Sequence, residues 1–373
     1  MKLIMSLQIN AVNGGSKKEN IAPKKTQIPV KIKNQQDPKV QKPKKTSESP
    51  PPKATFKTLQ AALNSLDIAE LRDLLEATRL QFNNDVIMLK TAVTFLNEKL
   101  RLEKAEDVMF FDKPLDYPLS ILPGELKIIM KELVQKCNEE SLKYFFHNLL
   151  QSLCEELNKS RNFVGNLLFL QQIGHHYPQV CISNLASTVI LRNSYQNQPS
   201  ICLSLFWALM SSGFSNTSIG LKVWLEIVSS VMNVKSYTKF SFDCLLKILA
   251  ASNKTPNLEF TIAEYKSLVE LLLSNENQKV KVKDLPKIKE KCISLLTMKF
   301  IKGLKSEDIE PFFMLLFKFC KRIPELFVSE LVELIKTHPV ECLKLWKLNF
   351  DDFSRQNVFI FHYLGEIEIK CGN

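Results

Sequence analysis

The sequence predicts an all-α protein, an irregular α-solenoid of antiparallel helix pairs preceded by a disordered basic arm. Three observations support this prediction: apolar residues recur with a helical period through most of the chain, no alternating β-branched run competes with them, and positive charge is concentrated at one end. Residues 1–58 contain 13 lysines and three acidic residues, whereas residues 59–373 carry a net charge of only +1. Four segments follow from these patterns: a Lys/Pro-rich arm (1–55), an N-terminal helical segment (56–102), a connecting loop (103–121) and a helical-repeat body (122–373).

The arm has the composition of a disordered chain. It lacks aromatic residues and holds seven of the 17 prolines. Such a stretch buries too little apolar surface to offset about 1–2 kcal/mol of backbone entropy per residue. Its lysines suit a solvated linker, an anionic membrane surface or nucleic-acid phosphates. Nucleic acid is the least favoured of the three, because no aromatic side chain is present to stack on bases.

Helical periodicity extends from the N-terminal segment to the end of the chain. A representative set recurs at i, i+3, i+4, i+7 and i+11: Leu221, Trp224, Leu225, Val228 and Met232. Asp67 and Thr261, each followed by a glutamate three residues later, have the spacing of helix N-caps. Prolines predict further helix beginnings and glycines predict helix ends: Pro286, Pro324 and Pro339; Gly174 and Gly213.

The spacing of the predicted helices indicates their arrangement. Helix starts are expected near residues 122, 139, 161, 178, 198, 216, 236, 260, 284, 306, 324 and 339. Alternate starts are mostly about 37–48 residues apart, close to the roughly 40–47-residue period of HEAT and armadillo repeats. Short connections between amphipathic helices favour antiparallel neighbours, so a HEAT/armadillo-like solenoid is predicted, with a globular helical bundle as the alternative.

No pattern of residues in the sequence indicates catalysis. The only histidine cluster is His175–His176, and adjacent helical residues point about 100° apart, which makes a poor metal site. No phosphate-binding or nucleophile motif occurs among the ten glycines. Nine cysteines lie within apolar patterns and none forms a CxxC pair, as expected of buried reduced thiols in a reducing compartment. We therefore predict a non-enzyme with no cofactor, metal or catalytic residue.

Phenylalanine pairs and apolar runs complete the prediction. The pairs Phe145–Phe146, Phe312–Phe313 and Phe359–Phe361 are expected to fill layers between helices. The alternative is an exposed groove for a partner at the C-terminal end. No window reaches the ~18 consecutive apolar residues of a membrane span.

Several collinear segments carry a family resemblance: Thr55–Asp67, Asp116–Pro118, Glu125–Ile129, Pro199–Phe214 and Gly220–Leu225 with Phe240. In order and spacing they resemble the cytosolic helical region of the transmembrane protein 214 family. The matches run from about residue 55 to 365, nearly the whole body.

The resemblance implies an endoplasmic-reticulum membrane protein with a cytosolic helical region and membrane spans towards the C-terminus. It also implies a role in stress-induced apoptosis, in which a solenoid face holds an initiator-type procaspase at that membrane. No catalytic residues carry over. This chain stops about where the spans are expected to begin, so a cytosolic protein is expected if the sequence is complete. The alternative function is a soluble helical-repeat adaptor that binds RNA or translation factors through its basic arm.

Overall fold

The computed structural model describes residues 55–103, 113–114, 116–251, 259–274 and 284–371, with side chains described up to residue 366. Nearly all of the predicted arm and much of the predicted connecting loop lie outside these residues. Within the described ranges every regular element is helical, which confirms the predicted all-α class. One isolated bridge joins Phe56 to Leu102, where the Phe56 N–H donates to the Arg101 carbonyl at 2.8 Å.

Sixteen α-helices, numbered in chain order, occupy the described residues: α1 Leu59–Asn64, α2 Ile68–Phe82, α3 Asp85–Lys99, α4 Gly124–Lys136, α5 Glu139–Asn158, α6 Val164–His176, α7 Leu185–Tyr195, α8 Pro199–Met210, α9 Thr217–Val223, α10 Lys235–Ala250, α11 Ile262–Leu273, α12 Leu285–Lys302, α13 Ile309–Arg322, α14 Pro324–Thr337, α15 Pro339–Leu348 and α16 Ser354–Cys371. Short 3₁₀ segments and one π-helical turn connect or extend them: Leu119–Ile121, Pro178–Ile182, Ser211–Phe214, Ser229–Val231 and Ser306–Asp308; Trp224–Val228.

Both predicted N-caps are confirmed. The Asp67 carboxylate accepts the Ala69 N–H at 2.9 Å and so satisfies an orphan donor at the start of α2. At α11, Thr261 and Glu264 form a complete capping box. There the Glu264 N–H donates to Thr261 Oγ1 at 3.2 Å, and the Thr261 N–H donates to Glu264 Oε2 at 2.7 Å.

Proline positions are mostly as expected. Pro286, Pro324 and Pro339 lie in the first turns of α12, α14 and α15, where their missing N–H groups cost nothing. A helix does start at Pro178 as predicted, but it is the short 3₁₀ helix Pro178–Ile182, and α7 begins only at Leu185.

The glycines at helix ends allow close backbone contact. α6 ends at His176, just after Gly174, as the sequence predicts. A Cβ atom on Gly213 would lie only 2.9 Å from the Gly220 Cα and 2.7 Å from Ile248 Cδ1. Glycine at this position therefore lets the segment before α9 approach both α9 and α10.

The hydrophobic core runs without interruption from Leu59 to Ile360. In the N-terminal part, α2 packs on α3, α3 on α6, and α5 on α6. From there each even-numbered helix contacts the next even-numbered helix: α6 contacts α8, and the contacts continue through α10, α12 and α14 to α16. Among the odd-numbered helices, α5 contacts α7, α11 contacts α13, and α13 contacts α15.

The predicted phenylalanine layers are partly confirmed. Phe145, Phe146, Phe312 and Phe313 are all buried within the core. Phe361 is 55% exposed, so the prediction is wrong for this residue. Its ring lies instead beside the Trp346 ring at the surface, with 5.8 Å between the ring centroids.

Candidate functional site

The histidine pair lies at a helix end, as the sequence predicts. His175 and His176 end α6, with their ring centroids 5.2 Å apart and the rings 81° from coplanar. Partial burial and the nearby His175 and Lys131 lower the pKa of His176. Within the described part of the chain, no group of three or more His, Cys, Asp or Glu side chains is placed to hold a metal ion.

Eight of the nine cysteines are buried thiols, as the sequence predicts. All eight whose side chains are described are buried and free of disulfides. Burial raises the pKa of Cys137 to about 11 and that of Cys181 to about 12, so the reactive thiolate is scarce at neutral pH. The side chain of Cys371 lies outside the described residues.

A groove of 1110 Å³ lies between α3 and α5. Its charged lining is balanced, since it contains three basic residues and three acidic ones: Lys90, Arg101 and Arg161; Glu98, Glu103 and Glu156. Arg161 and Glu156 form an ion pair at 3.4 Å. Because neither sign of charge dominates, the groove does not indicate one class of charged ligand.

Reciprocal helix capping joins α3 and α6 at one end of this groove. The N-cap residue of α6 offers no side-chain hydrogen bond, and Asn97 of α3 takes its place by accepting the Gly165 N–H at 2.7 Å. Asn97 also donates to the buried Asn166 side chain at 2.6 Å. In return, Asn162 donates to the carbonyls of Asn97 and Leu100 at the end of α3, at 2.5 and 2.8 Å. Each helix therefore satisfies orphan backbone groups of the other.

A buried arginine holds the π-helical turn after α9. Arg192 is only 7% exposed, and its guanidinium donates to the Ile227 carbonyl at 2.9 Å and to Ser230 Oγ at 2.6 Å. The same group donates twice to the Asn193 side chain. Because Ile227 lies in the π-helical turn Trp224–Val228, this bond connects α7 to an irregular part of the helix backbone.

Exposed apolar side chains gather at the last two helices. We name this surface the apolar edge, formed by Val340, Leu343, Leu348, Phe350, Val358 and Phe361, which are 78, 50, 72, 45, 66 and 55% exposed. Trp346 connects the two helices beneath it, since its ring nitrogen donates to Asn357 Oδ1 at 2.7 Å. Because clusters of exposed apolar side chains often mark interaction sites, the apolar edge is a candidate interface.

A second surface carries positive charge. We name it the lysine face, formed by the exposed Lys235 and Lys239 of α10 and the exposed Lys287, Lys291 and Lys302 of α12. The sequence prediction missed this surface because charge was averaged over the whole body. Counting the charged residues of each helix separately would have found it.

Comparison with known proteins identifies the family of this chain. The family model described as "TMEM214, C-terminal, caspase 4 activator" matches residues 1–367. The chain belongs to the transmembrane protein 214 family. This match confirms the family that the collinear segments predicted.

Individual members of the transmembrane protein 214 family are similar to the chain over part of their length. Transmembrane protein 214 of Homo sapiens is 32% identical over 232 residues, which cover 60% of this chain and 33% of that protein. The Bos taurus protein is 34% identical over 197 residues, covering 52% and 28%. Transmembrane protein 214-B of Xenopus laevis is 31% identical over 256 residues, covering 68% and 37%. The matched regions thus span no more than 37% of these three relatives.

No solved structure matches this member of the transmembrane protein 214 family. Among its described helices, none combines the length and the apolar content needed to cross a bilayer.

Proposed function

We propose that this chain is a non-catalytic helical scaffold at the cytosolic face of the endoplasmic reticulum, which recruits a caspase precursor in stress-induced apoptosis. The observation that carries the scaffold role is the unbroken succession of contacts from α6 to α16 through the even-numbered helices. Such a succession builds extended surfaces rather than one enclosed pocket.

The same contacts support an irregular α-solenoid of antiparallel pairs. Successive helices such as α13 and α14 pack on one another, and each then packs on the helix two places further along. Stacked helix pairs of this kind bury one continuous core, which agrees with the uninterrupted hydrophobic cluster.

A caspase precursor is proposed as the partner because the matching family model is described as a caspase 4 activator. Location at a membrane is proposed because the relatives are named transmembrane proteins. The chain itself would contribute the helical surface that the partner contacts.

The apolar edge is the surface that we propose for this partner. Aromatic side chains are enriched at the centres of protein interfaces, and the apolar edge exposes Phe350 and Phe361 above the half-buried Trp346. Elsewhere in the described chain, α2 exposes Leu74, Leu80 and Phe82, and other helices expose single residues such as Ile128 and Ile190. The apolar edge exposes six such residues, two of them aromatic, against three with one aromatic on α2.

The test is direct binding of the purified full chain to immobilised caspase-4 precursor, measured by biolayer interferometry. The variant Leu348→Ser/Phe350→Ser/Phe361→Ser should bind about a hundredfold more weakly, because three interface side chains are truncated. The matched control, Leu80→Ser/Ile128→Ser/Ile190→Ser, removes side chains of similar exposure from other helices and should bind like the unmodified chain.

Equal weakening in both variants would show that the apolar edge is not the binding surface. No binding by the unmodified chain would remove the caspase precursor as its direct partner. Circular dichroism melting of each variant checks that the substitutions leave the fold intact.

A further inference from the structure

Two inter-helix contacts fix α10 and α12 as parallel neighbours. The Lys289 ammonium of α12 lies 5.7 Å from the centre of the Phe242 ring of α10. Further along, the Lys299 ammonium donates to the Ala251 carbonyl just beyond the end of α10, at 3.1 Å. From the first contact to the second, the residue numbers rise on both helices. The two helices therefore run parallel. Burial lowers the pKa of both lysines, which are held between the helices.

The remaining lysines of the two helices lie on their exposed sides. On α12, three exposed lysines and an exposed methionine share one side at the spacing i, i+4, i+11 and i+15: Lys287, Lys291, Met298 and Lys302. Pro286 and the acidic Glu290 of α12 are exposed as well. On α10, Lys235 and Lys239 are exposed one turn apart. Because α10 and α12 pack against each other, these exposed lysines lie on two neighbouring helices. Within the described structure none of the five lysines of the lysine face makes an ion pair with a carboxylate.

Charge is strongly segregated towards this surface. Together α10 and α12 contain eight lysines and two acidic residues, Asp243 and Glu290. By contrast, α5 contains four glutamates and one lysine. The near-neutral body therefore presents a local positive potential at the lysine face.

The composition of the lysine face narrows the class of ligand. All five cations are lysines, so the face has no planar guanidinium for bidentate recognition of single phosphates or carboxylates. Its exposed large apolar side chain is Met298, which is 40% exposed, and none of the exposed residues on these two helices is aromatic. Stacking on nucleic-acid bases and aromatic anchoring to a protein both lack their usual side chains here.

We propose that the lysine face binds the surface of an anionic lipid bilayer. Hydrated lysine ammonium groups suit a diffuse sheet of negative headgroups, near which each lysine raises the binding constant by a factor of about five. The methionine among them has a flexible apolar side chain that suits the headgroup boundary. This binding is independent of any caspase, so it goes beyond the proposed scaffold function.

The test is sedimentation of the full chain with vesicles of phosphatidylcholine alone and of phosphatidylcholine mixed with phosphatidylserine. The variant Lys287→Gln/Lys291→Gln/Lys302→Gln should bind the phosphatidylserine vesicles about a hundredfold more weakly. The control Lys90→Gln/Lys131→Gln/Lys136→Gln removes the same charge from exposed positions of α3 and α4 and should change binding less than about twofold. Both variants keep every lysine of the N-terminal arm.

Three results would overturn the proposal. Equal losses in the two variants would assign the binding to net charge. No loss in either would place the lipid contact elsewhere in the chain. A lysine-face variant that loses affinity for single-stranded RNA while keeping its affinity for phosphatidylserine vesicles would identify nucleic acid as the ligand. Added salt should also weaken the vesicle binding of the unmodified chain steeply, since exposed charges are screened.

Discussion

Asn97→Ala tests whether reciprocal capping holds α3 to α6. The Asn97 side chain makes two bonds across the helix pair: its oxygen accepts the Gly165 N–H at 2.7 Å and its nitrogen donates to Asn166 at 2.6 Å. Asn166 is fully buried, so its oxygen has no access to water once this donor is removed. The substitution therefore removes a helix cap and leaves a buried acceptor without its partner.

The expected destabilisation follows from these two losses. Removing an N-cap bond costs about 1 kcal/mol. Leaving a buried polar group unsatisfied costs about 1–3 kcal/mol. Asn97→Ala should thus lower the free energy of unfolding by about 2–4 kcal/mol. Asn97→Asp keeps an acceptor for the Gly165 N–H, and a rotated Asn166 amide can donate to it, so the loss should stay below about 1 kcal/mol.

Urea unfolding of the full chain, followed by circular dichroism at 222 nm, measures both differences. The reasoning is wrong if Asn97→Ala changes the unfolding free energy by less than about 0.5 kcal/mol, or if Asn97→Asp is as damaging as Asn97→Ala. A double-mutant cycle with Asn166→Ala should show a coupling energy of about 1 kcal/mol, because the two amides bond directly.

Three further predictions concern other positions. Gly165→Ala should lower the unfolding free energy by about 2–3 kcal/mol in the same urea assay, because the new Cβ would lie 2.5 Å from the Val93 carbonyl oxygen; an unchanged midpoint would refute the close packing. Thr261→Val should lower the unfolding free energy by about 1 kcal/mol, and Thr261→Ser by only about 0.3 kcal/mol. Equal losses would mean that the capping bond contributes nothing. Burial lowers the pKa of His147, so the unfolded chain binds more protons below about pH 6.5 and stability should fall from pH 7 to pH 5. His147→Gln should flatten this dependence in thermal melts, and an unaltered slope would exclude the histidine as a source.

Local signals made the helical class predictable. The N-caps at Asp67 and Thr261 each depend on residues within one turn of each other, so a short window of sequence contains the whole interaction. Proline acts equally locally, since its fixed φ and missing N–H decide where a helix begins. At Pro178 the same preference of proline for the start of a helix is satisfied by a 3₁₀ helix instead of an α-helix.

Long-range capping was not predictable from the sequence. Asn97 and Gly165 are 68 residues apart, and nothing near Gly165 shows that a side chain of another helix will accept its N–H. Helical periodicity likewise places Phe361 on an apolar stripe, but only the packing of α16 decides which part of that stripe is covered. The lysine face was missed for a related reason, since opposite charges on separate helices cancel in a total over the body.

The eight buried thiols can report whether this chain unfolds cooperatively. They are distributed from the end of α4 to α15, with Cys137 and Cys342 at the two extremes. Because an alkylating reagent reaches a buried thiol only when its surroundings open, pulsed alkylation with mass spectrometry would time the opening around each of these eight thiols. A single shared rate would mark one cooperative unit, whereas a gradient from one end would mean that the helices separate successively, as in a one-dimensional array. The chain would report this without any introduced label.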